Sequence, residues 1–153
     1  MFIPHVHKEI HMATVRTADA HWEGSLFEGQ GEVELVSSGV GSFEVTWAAR
    51  SQEANGKTSP EELIAAAHST CFSMALSNGL AGAGNPPTSL DTRADVTFVP
   101  GTGITGIALS VKATVPGMSA EQFEAAAQDA KANCPVSQAL AATPISLEAS
   151  LVD

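Results

Sequence analysis

The sequence predicts a single α+β domain. Its patterned segments run in the order strands, helix, two strands, helix, strand, which lacks the regular alternation of a doubly wound fold. The chain has 153 residues, about the length of one domain, and 44% of them are hydrophobic, enough to form a core. No internal repeat, low-complexity block or long linker divides it. Residues 13–153 are therefore predicted to form one domain.

Two strands are predicted in the first third of the chain. Apolar and polar residues alternate weakly over 32–36 and more clearly over 42–50. Arg50 would lie at the end of the second strand, on the face opposite its apolar side chains. The polar segment 51–57 contains an Asn-Gly pair and is predicted to be a loop. The apolar face of the second strand would consist of Phe43, Val45, Trp47 and Ala49.

A long central helix follows the loop. Ser59 can cap it, Pro60 suits its first position, and Glu62 would complete a capping box. The helix should end near Leu80, because three glycines and then a Pro-Pro pair lie around and after that residue. Its side chains are apolar nearly all round, so we expect a buried helix.

The second half of the chain predicts two strands, a helix and a closing strand. Segments rich in Thr, Val and Ile cover 90–99 and 104–115, with a Pro-Gly turn between them. A second helix with its own capping box begins near Ser119, and helical structure restarts at Pro135. Alternating apolar residues over 145–152 predict the last strand.

The charge balance excludes some classes of partner. Lys and Arg total 7 and Asp and Glu total 17, which gives a net charge of -10 with histidine neutral. A nucleic acid or an anionic membrane surface is not expected as the main partner, since both need clustered cations. No apolar run is long enough to cross a bilayer. Charged residues make up only 16% of the chain and tyrosine is absent, so we expect part of the surface to be buried against a second copy.

We interpret the first twelve residues as an addition to the domain. They contain His5, His7 and His11, which could hold a metal, but nothing nearby clearly supplies a further ligand. Residues 1–12 are therefore predicted to be a tag or a disordered leader. They lack the charged-then-apolar order of a signal peptide, and two cysteines are too few for a disulfide-rich secreted scaffold. We expect a cytoplasmic protein whose thiols are reduced.

Cys71 and Cys134 are the candidate reactive groups. Cys71 lies in the middle of the predicted central helix, where a buried cysteine usually packs as a small hydrophobe. Cys134 precedes Pro135 at a helix start, where backbone N–H groups and the helix dipole stabilise a thiolate. Such a pair allows a two-step peroxidase: one thiolate attacks a peroxide and becomes a sulfenic acid, and the other condenses with it to a disulfide. Their positions along the chain do not indicate whether they meet in space.

Three other interpretations use the same residues. His68 lies one turn before Cys71, and a cysteine hydrolase would use His68 as base with Glu61 or an aspartate as third member. Two residues on one helix make a poor triad, so we expect His68 to pack or to make a local hydrogen bond instead. A zinc site of Cys71, Cys134 and His68 would lack a fourth ligand. A thiol-containing binding or stress protein without turnover also fits two cysteines.

Two longer motifs resemble those of a known family. Residues 59–77, SPEELIAAAHSTCFSMALS, resemble the first cysteine motif of the OsmC/Ohr family, the osmotically inducible protein C and organic hydroperoxide resistance proteins. Residues 134–138, CPVSQ, are similar to its second cysteine motif. The further features that fit the OsmC branch are the segments 20–24, 87–92 and 115–117 and the residues His68, Val136 and Gln138.

The resemblance implies a fold and a chemistry. The fold is an OsmC-like α+β fold in which antiparallel sheets wrap around two long central helices of an intertwined homodimer, with active sites at the subunit interface. The activity is a thiol-dependent peroxidase that reduces organic hydroperoxides, and hydrogen peroxide more weakly. By this resemblance Cys71 is the peroxidatic and Cys134 the resolving cysteine, and Arg50 and Glu61 match the Arg and Glu used near the thiol. A dithiol or lipoyl-type reductant would restore the thiols. No cofactor or metal is expected, since nucleotide- and phosphate-binding motifs are absent.

This chemistry makes physical demands on the site. Burial of Cys71 in an apolar helix opposes thiolate formation, so a cation must compensate, and the guanidinium of Arg50 can do so. Glu61 lies ten residues before Cys71, about 15 Å along the helix, and cannot reach it within its own chain. We therefore expect Glu61 to come from the other subunit and to hold Arg50 in place. The apolar substrate pocket would be lined by Phe43, Trp47, Phe72 and Met74.

Overall fold

Two three-stranded sheets and one long helix organise the chain. The computed structural model describes residues 12–152. This mixture of helices with two small sheets confirms the predicted α+β class. The elements in chain order are β1 (Asp19–Glu23), β2 (Gln30–Glu34), β3 (Ser42–Val45), α1 (Trp47–Ser51), α2 (Pro60–Gly82), β4 (Ser89–Val99), β5 (Gly103–Thr114), α3 (Ala120–Asn133), α4 (Pro135–Ala139) and β6 (Ile145–Leu151).

The first sheet is antiparallel and open. β1 pairs with β2, and β2 pairs with β3. Every residue of β1 is exposed, and within residues 12–152 the three strands contribute no side chain to the hydrophobic core. This sheet therefore lacks a core of its own in the single chain.

The predicted strand over 42–50 is wrong in its second half. β3 ends at Val45, and Thr46 caps α1, with its hydroxyl accepting a hydrogen bond from the N–H of Ala49 at 3.1 Å. The short helix contains two adjacent alanines, which favour a helix over a strand. Arg50 accordingly lies in the last turn of α1 and not at a strand end.

α2 begins at its predicted cap and leaves one face uncovered. The Ser59 hydroxyl accepts a hydrogen bond from the N–H of Glu62 at 3.1 Å, but the Glu62 carboxylate accepts from the hydroxyl of Thr58 instead of closing the box. Burial is confined to one stripe of the helix, and Met74 on another face is 68% exposed. The expected burial therefore holds for one face only. The buried residues of α2 are Glu61, His68, Phe72, Leu76 and Leu80.

The second sheet carries the core. β4 and β5 form the predicted antiparallel hairpin, whereas β6 pairs with β5 in parallel, so this sheet is mixed. α3 begins at the predicted capping box of Ser119 and Gln122. α2 packs against β4 and α3, and α3 packs against β6. The buried core includes Phe72, Leu109, Val111, Phe123 and Cys134. Within residues 12–152, no helix has both the length and the apolar composition needed to cross a lipid bilayer.

Candidate thiol site

Cys71 and Cys134 are neighbours in space. Cys71 lies in the middle of α2, and Cys134 lies between α3 and α4, where it ends one helix and begins the next. Both are free thiols, and each is close enough to shift the pKa of the other. The fold thus brings together two sulphur atoms that lie far apart in the sequence.

The two thiols differ in their access to small molecules. Cys71 is half-buried and opens onto a groove of about 490 Å³, whereas Cys134 is fully buried behind it. A small oxidant entering the groove therefore meets Cys71 first. The groove is lined by Met74, Ala75, Asn78 and Gly79 of α2, by Ala126, Asp129, Ala130 and Asn133 of α3, and by Pro135.

The surroundings move the two thiol pKa values in opposite directions. Burial raises the pKa of Cys71 above its usual range, the nearby Cys134 adds to that rise, and the backbone N–H of Val136 opposes it. Burial also acts to raise the pKa of Cys134, but the N–H groups of Ser137 and Val136, the Ser137 hydroxyl and the Cys71 thiol outweigh it, so the pKa of Cys134 is lowered. Among residues 12–152, no charged side chain contributes to either shift. Within these residues of a single chain, no cation is therefore placed to stabilise a Cys71 thiolate.

Arg50 and Glu61 form an ion pair at the start of α2. Nη2 of Arg50 donates to Oε1 of Glu61 at 2.8 Å, and Nε lies 3.1 and 3.2 Å from the two carboxylate oxygens. Glu61 is buried, and the guanidinium also stacks on the ring of Phe98, 4.2 Å from its centroid. The ring of Phe98 meets Trp47 edge-on at 5.9 Å. A carboxylate and an aromatic cluster together fix the position of this cation.

Glu61 was expected to reach the Cys71 site from the other subunit and to hold Arg50 in place. Glu61 does bind Arg50, and the two residues belong to the same chain. That this pair serves the Cys71 of a second chain stays a prediction. The ten residues of α2 between Glu61 and Cys71 still span about 15 Å, so the ion pair and the thiols occupy two separate places in one chain. A second chain that receives Arg50 would therefore receive Glu61 from the same chain.

The four predicted pocket residues lie in different parts of the structure. Trp47 and Arg50 line an apolar cavity of about 490 Å³ that also includes Trp22, Val45 and Leu63. Met74 lines the groove at Cys71. Phe72 is wrong as a pocket residue, because its side chain is fully buried in the core. Phe43 lies outside the lining of both the cavity and the groove, and its place in a substrate pocket stays a prediction.

His68 binds a serine and not a thiol. Its side chain is fully buried, and its Nε2 lies 2.7 Å from Oγ of Ser137 in α4. Burial lowers the pKa of His68 below the usual 6.5, which favours the neutral ring. The expected packing of His68 is confirmed, but its hydrogen bond is not local, since it joins His68 to a residue 69 positions later in the chain. A hydrolase triad is not assembled, because Glu61 is bound to Arg50 and lies almost two turns away along α2.

A metal site finds no support in the part of the chain that the structure describes. Across residues 12–152, His, Cys, Asp and Glu side chains form no group of three or more that could hold an ion. The histidines His5, His7 and His11, and with them all of the expected tag or leader except Met12, lie outside the described residues.

The fold and the thiol pair define a class of small α+β dithiol proteins. A family model described as OsmC-like protein matches residues 52–150. The chain is 46% identical over 134 residues to proteins named Peroxiredoxin OsmC from Escherichia coli (strain K12) and from Shigella flexneri. Each match covers 86% of this chain and 93% of the relative. The chain therefore belongs to the OsmC-like family, as its two cysteine motifs predict.

Solved structures share the architecture. An organic hydroperoxide resistance protein OsmC from Legionella pneumophila aligns with a TM-score of 0.66 at 22% identity, over 93% of this chain and 99% of that chain. An OsmC like protein from Mycoplasma pneumoniae aligns with a TM-score of 0.70 at 13% identity, over 93% and 100%. OhrB of Bacillus subtilis aligns with a TM-score of 0.62 at 20% identity, over 89% and 98%. At these identities the likeness establishes the fold, and it confirms the predicted OsmC-like architecture.

Proposed function

We propose that this protein is a Cys-based peroxidase that reduces organic hydroperoxides, and hydrogen peroxide more weakly. The observation that carries the proposal is the placement of the two thiols: Cys71 opens onto a groove and Cys134 lies buried directly behind it. The names of its relatives, peroxiredoxin and organic hydroperoxide resistance protein, support the same reaction class. The proposal includes a reducing cytoplasmic compartment, where the disulfide is transient.

The proposed reaction begins at Cys71. Its thiolate attacks the distal oxygen of the hydroperoxide, so that an S–O bond forms and the O–O bond breaks. The leaving alkoxide takes a proton and departs as an alcohol, and Cys71 becomes a sulfenic acid. Half-burial of Cys71 in the groove lets the substrate in while limiting contact with bulk water.

The second step joins the two sulphur atoms. Cys134 attacks the Cys71 sulphur, an S–S bond forms, the S–O bond breaks, and water leaves with the proton that Cys134 gave up. The lowered pKa of Cys134 suits it to this attack. An external dithiol, of the lipoyl type or a small thiol, then returns two electrons and restores both thiols.

The cation at Cys71 comes, in this proposal, from a second chain. Glu61, which holds Arg50, lies about 15 Å along α2 from Cys71 of the same chain. Within residues 12–152, no cation contributes to the pKa shift of Cys71. The exposed face of α2 and the sheet without a core both suit coverage by another copy. In an intertwined homodimer, Arg50 of one chain would stabilise the thiolate and the departing alkoxide of its partner, and Glu61 would hold Arg50 in place.

The groove and the cavity favour an alkyl substituent on the peroxide. Met74 contributes an exposed apolar side chain beside Cys71, and Trp47 lies next to Arg50 in the apolar cavity. Closing these two surfaces on one another would enclose an alkyl chain that hydrogen peroxide lacks.

A steady-state assay with cumene hydroperoxide and dihydrolipoamide tests the proposal. Wild-type protein should consume hydroperoxide catalytically and Cys71→Ser should consume none. Cys134→Ser should stop after one equivalent if Cys71 remains a sulfenic acid, and after two or three if Cys71 is oxidised further to the sulfinic or sulfonic acid. A protein without turnover consumes at most one equivalent in all three forms. The hydrolase alternative predicts cleavage of an activated ester that needs His68 and ignores the loss of Cys134.

A further inference from the structure

A buried line of polar groups leads away from Cys134 into the core. It consists of Cys134, the hydroxyl of Ser137 and the imidazole of His68. Cys134 and His68 are fully buried, and Ser137 is 6% exposed. Burying a hydroxyl and an imidazole among apolar side chains destabilises a fold unless hydrogen bonds offset the loss of water. The burial of these polar side chains in the core therefore requires an explanation.

The geometry connects the three groups in series. Nε2 of His68 lies 2.7 Å from Oγ of Ser137, a short hydrogen bond between elements that are distant in sequence. Ser137 lies three residues after Cys134 in the first turn of α4, where its N–H and its hydroxyl act to lower the pKa of Cys134. Ser137 therefore stands between the imidazole and the thiol.

Packing alone does not explain His68. Within the described chain, Nδ1 of His68 is buried and has no hydrogen-bond partner. An apolar side chain of similar size would fill the same space without burying an unsatisfied nitrogen. The feature that such a side chain could not supply is the hydrogen bond from Nε2 to Ser137.

We propose that His68 and Ser137 are positioning residues that prepare Cys134 to attack the sulfenic acid on Cys71. This inference rests on the proposed function. The neutral imidazole carries its proton on Nε2 and donates it to Oγ of Ser137, which directs the Ser137 hydroxyl proton at the Cys134 sulphur. When Cys134 loses its proton, the Ser137 hydroxyl is then already oriented to donate a hydrogen bond to the thiolate.

The chain of hydrogen bonds acts on the second step and leaves the electron balance of the reaction unchanged. Cys134 is oxidised and the sulfenic sulphur of Cys71 is reduced as the disulfide forms, and the hydroxide released takes up the proton lost by Cys134. His68 gains and loses no proton overall. The oxidant is the hydroperoxide of the first step.

The other ionisable groups around this line are few. From α2, Cys71 faces this line beside His68, which is itself part of it. On α3, Lys131 donates instead to the carbonyl of Ile145 at 3.3 Å, and Asp129 is exposed; on β6, Glu148 is exposed as well. Among the described residues, no charged group contributes to the pKa shift of Cys134. A change in the pH dependence of disulfide formation in a Ser137 or His68 variant can therefore be assigned to the substituted residue.

Rapid mixing with one equivalent of cumene hydroperoxide separates the two steps. In Ser137→Ala and His68→Leu we expect peroxide consumption within about twofold of the wild type, and disulfide formation at pH 7 slowed roughly three- to tenfold. The pH midpoint of disulfide formation should rise, and more Cys71 should be trapped by dimedone. Ser137→Thr, which keeps the hydroxyl, should restore part of the rate. Ser69→Ala is the matched control, because the Ser69 hydroxyl bonds only to carbonyls of its own helix.

A titration of the Cys134 thiolate by absorbance at 240 nm, in a Cys71→Ser background, gives a second measurement. Ser137→Ala should raise the Cys134 pKa even if His68→Leu fails to fold. Unchanged disulfide kinetics and an unchanged Cys134 pKa in a folded Ser137→Ala protein would overturn the inference, as would equal slowing of both steps. A wild-type protein that forms no disulfide at all would instead overturn the proposed function.

Discussion

The carboxylate of Glu61 holds the guanidinium of Arg50 within one chain, at the opposite end of the α2 segment that carries Cys71. Glu61 and Cys71 are ten residues apart on α2, a rise of about 15 Å. If Arg50 stabilises the Cys71 thiolate, as proposed above, the ion pair has to come from a second chain. Two questions follow: whether the reaction needs Arg50, and which chain supplies it.

Loss of the Arg50 cation should nearly abolish activity. Arg50→Gln is expected to lower the second-order rate constant for cumene hydroperoxide about a hundredfold or more, because charge on the thiolate and the alkoxide loses its stabilisation. Arg50→Lys should recover little of it, since a lysine cannot form the bidentate pair with Glu61. The control is Arg93→Gln, an exposed arginine paired with Asp95, which should retain full activity. A fully active Arg50→Gln would contradict this role.

Mixed dimers should show which chain supplies the cation. Chains with Arg50→Gln and chains with Cys71→Ser, carrying different affinity tags, are co-expressed and the heterodimer is purified. If Arg50 acts across the interface, this heterodimer retains one complete site and about half of wild-type activity, although both parent homodimers are inactive.

The matched control places the same two substitutions on one chain. A dimer of the double variant with a wild-type chain contains no complete site if Arg50 acts across the interface, and should be inactive. The opposite result, an active control and an inactive test dimer, would mean that Arg50 serves the thiol of its own chain.

The aromatic contact of Arg50 should contribute modestly to the rate. Phe98→Leu removes the ring on which the guanidinium stacks, and we expect kcat/KM to fall about two- to fivefold while the melting temperature changes little. Phe43→Leu, at an aromatic residue outside both the cavity and the groove, is the comparison and should leave kcat/KM unchanged. Equal losses in the two variants would count against a specific effect of Phe98.

The buried imidazole should make stability depend on pH. Because burial lowers the pKa of His68 below 6.5, the unfolded chain binds a proton more readily than the folded one. The unfolding free energy should therefore be intact above pH 6.5 and fall as the pH drops below it, by up to about 1.4 kcal/mol per pH unit. Urea titrations between pH 5 and 7.5 measure this slope. His68→Gln should flatten it and the exposed His21→Gln should not, whereas equal slopes in all three proteins would refute the assignment.

Local signals predicted much of the secondary structure. The caps at Ser59 and Ser119 and the turn between β4 and β5 depend on a few adjacent residues, and each was predicted where the structure has it. The end of β3 was missed because apolar alternation over 42–49 is equally compatible with a short helix once Thr46 caps it. Local pattern alone does not decide between these two outcomes.

The errors at the site arise from contacts between distant segments. Phe72 was placed in the pocket because α2 is apolar nearly all round, and such a helix does not indicate which face meets the core. The pairing of Arg50 with Glu61 depends on how the loop between α1 and α2 closes, and the parallel pairing of β6 depends on α3 and α4 before it. Phe98 belongs to no motif that indicates a role beside Arg50. Ser137 lies within the second cysteine motif, but that motif does not indicate a contact with His68, which is 69 residues earlier in the chain.

The most direct test of the central claim is to add one equivalent of cumene hydroperoxide to the fully reduced protein, count the thiols and map the peptides without reduction. We expect two thiols to disappear per hydroperoxide consumed and a peptide pair linked between Cys71 and Cys134 of the same chain. Hydroperoxide consumption that leaves Cys134 as a free thiol, or no consumption at all, would contradict the claim.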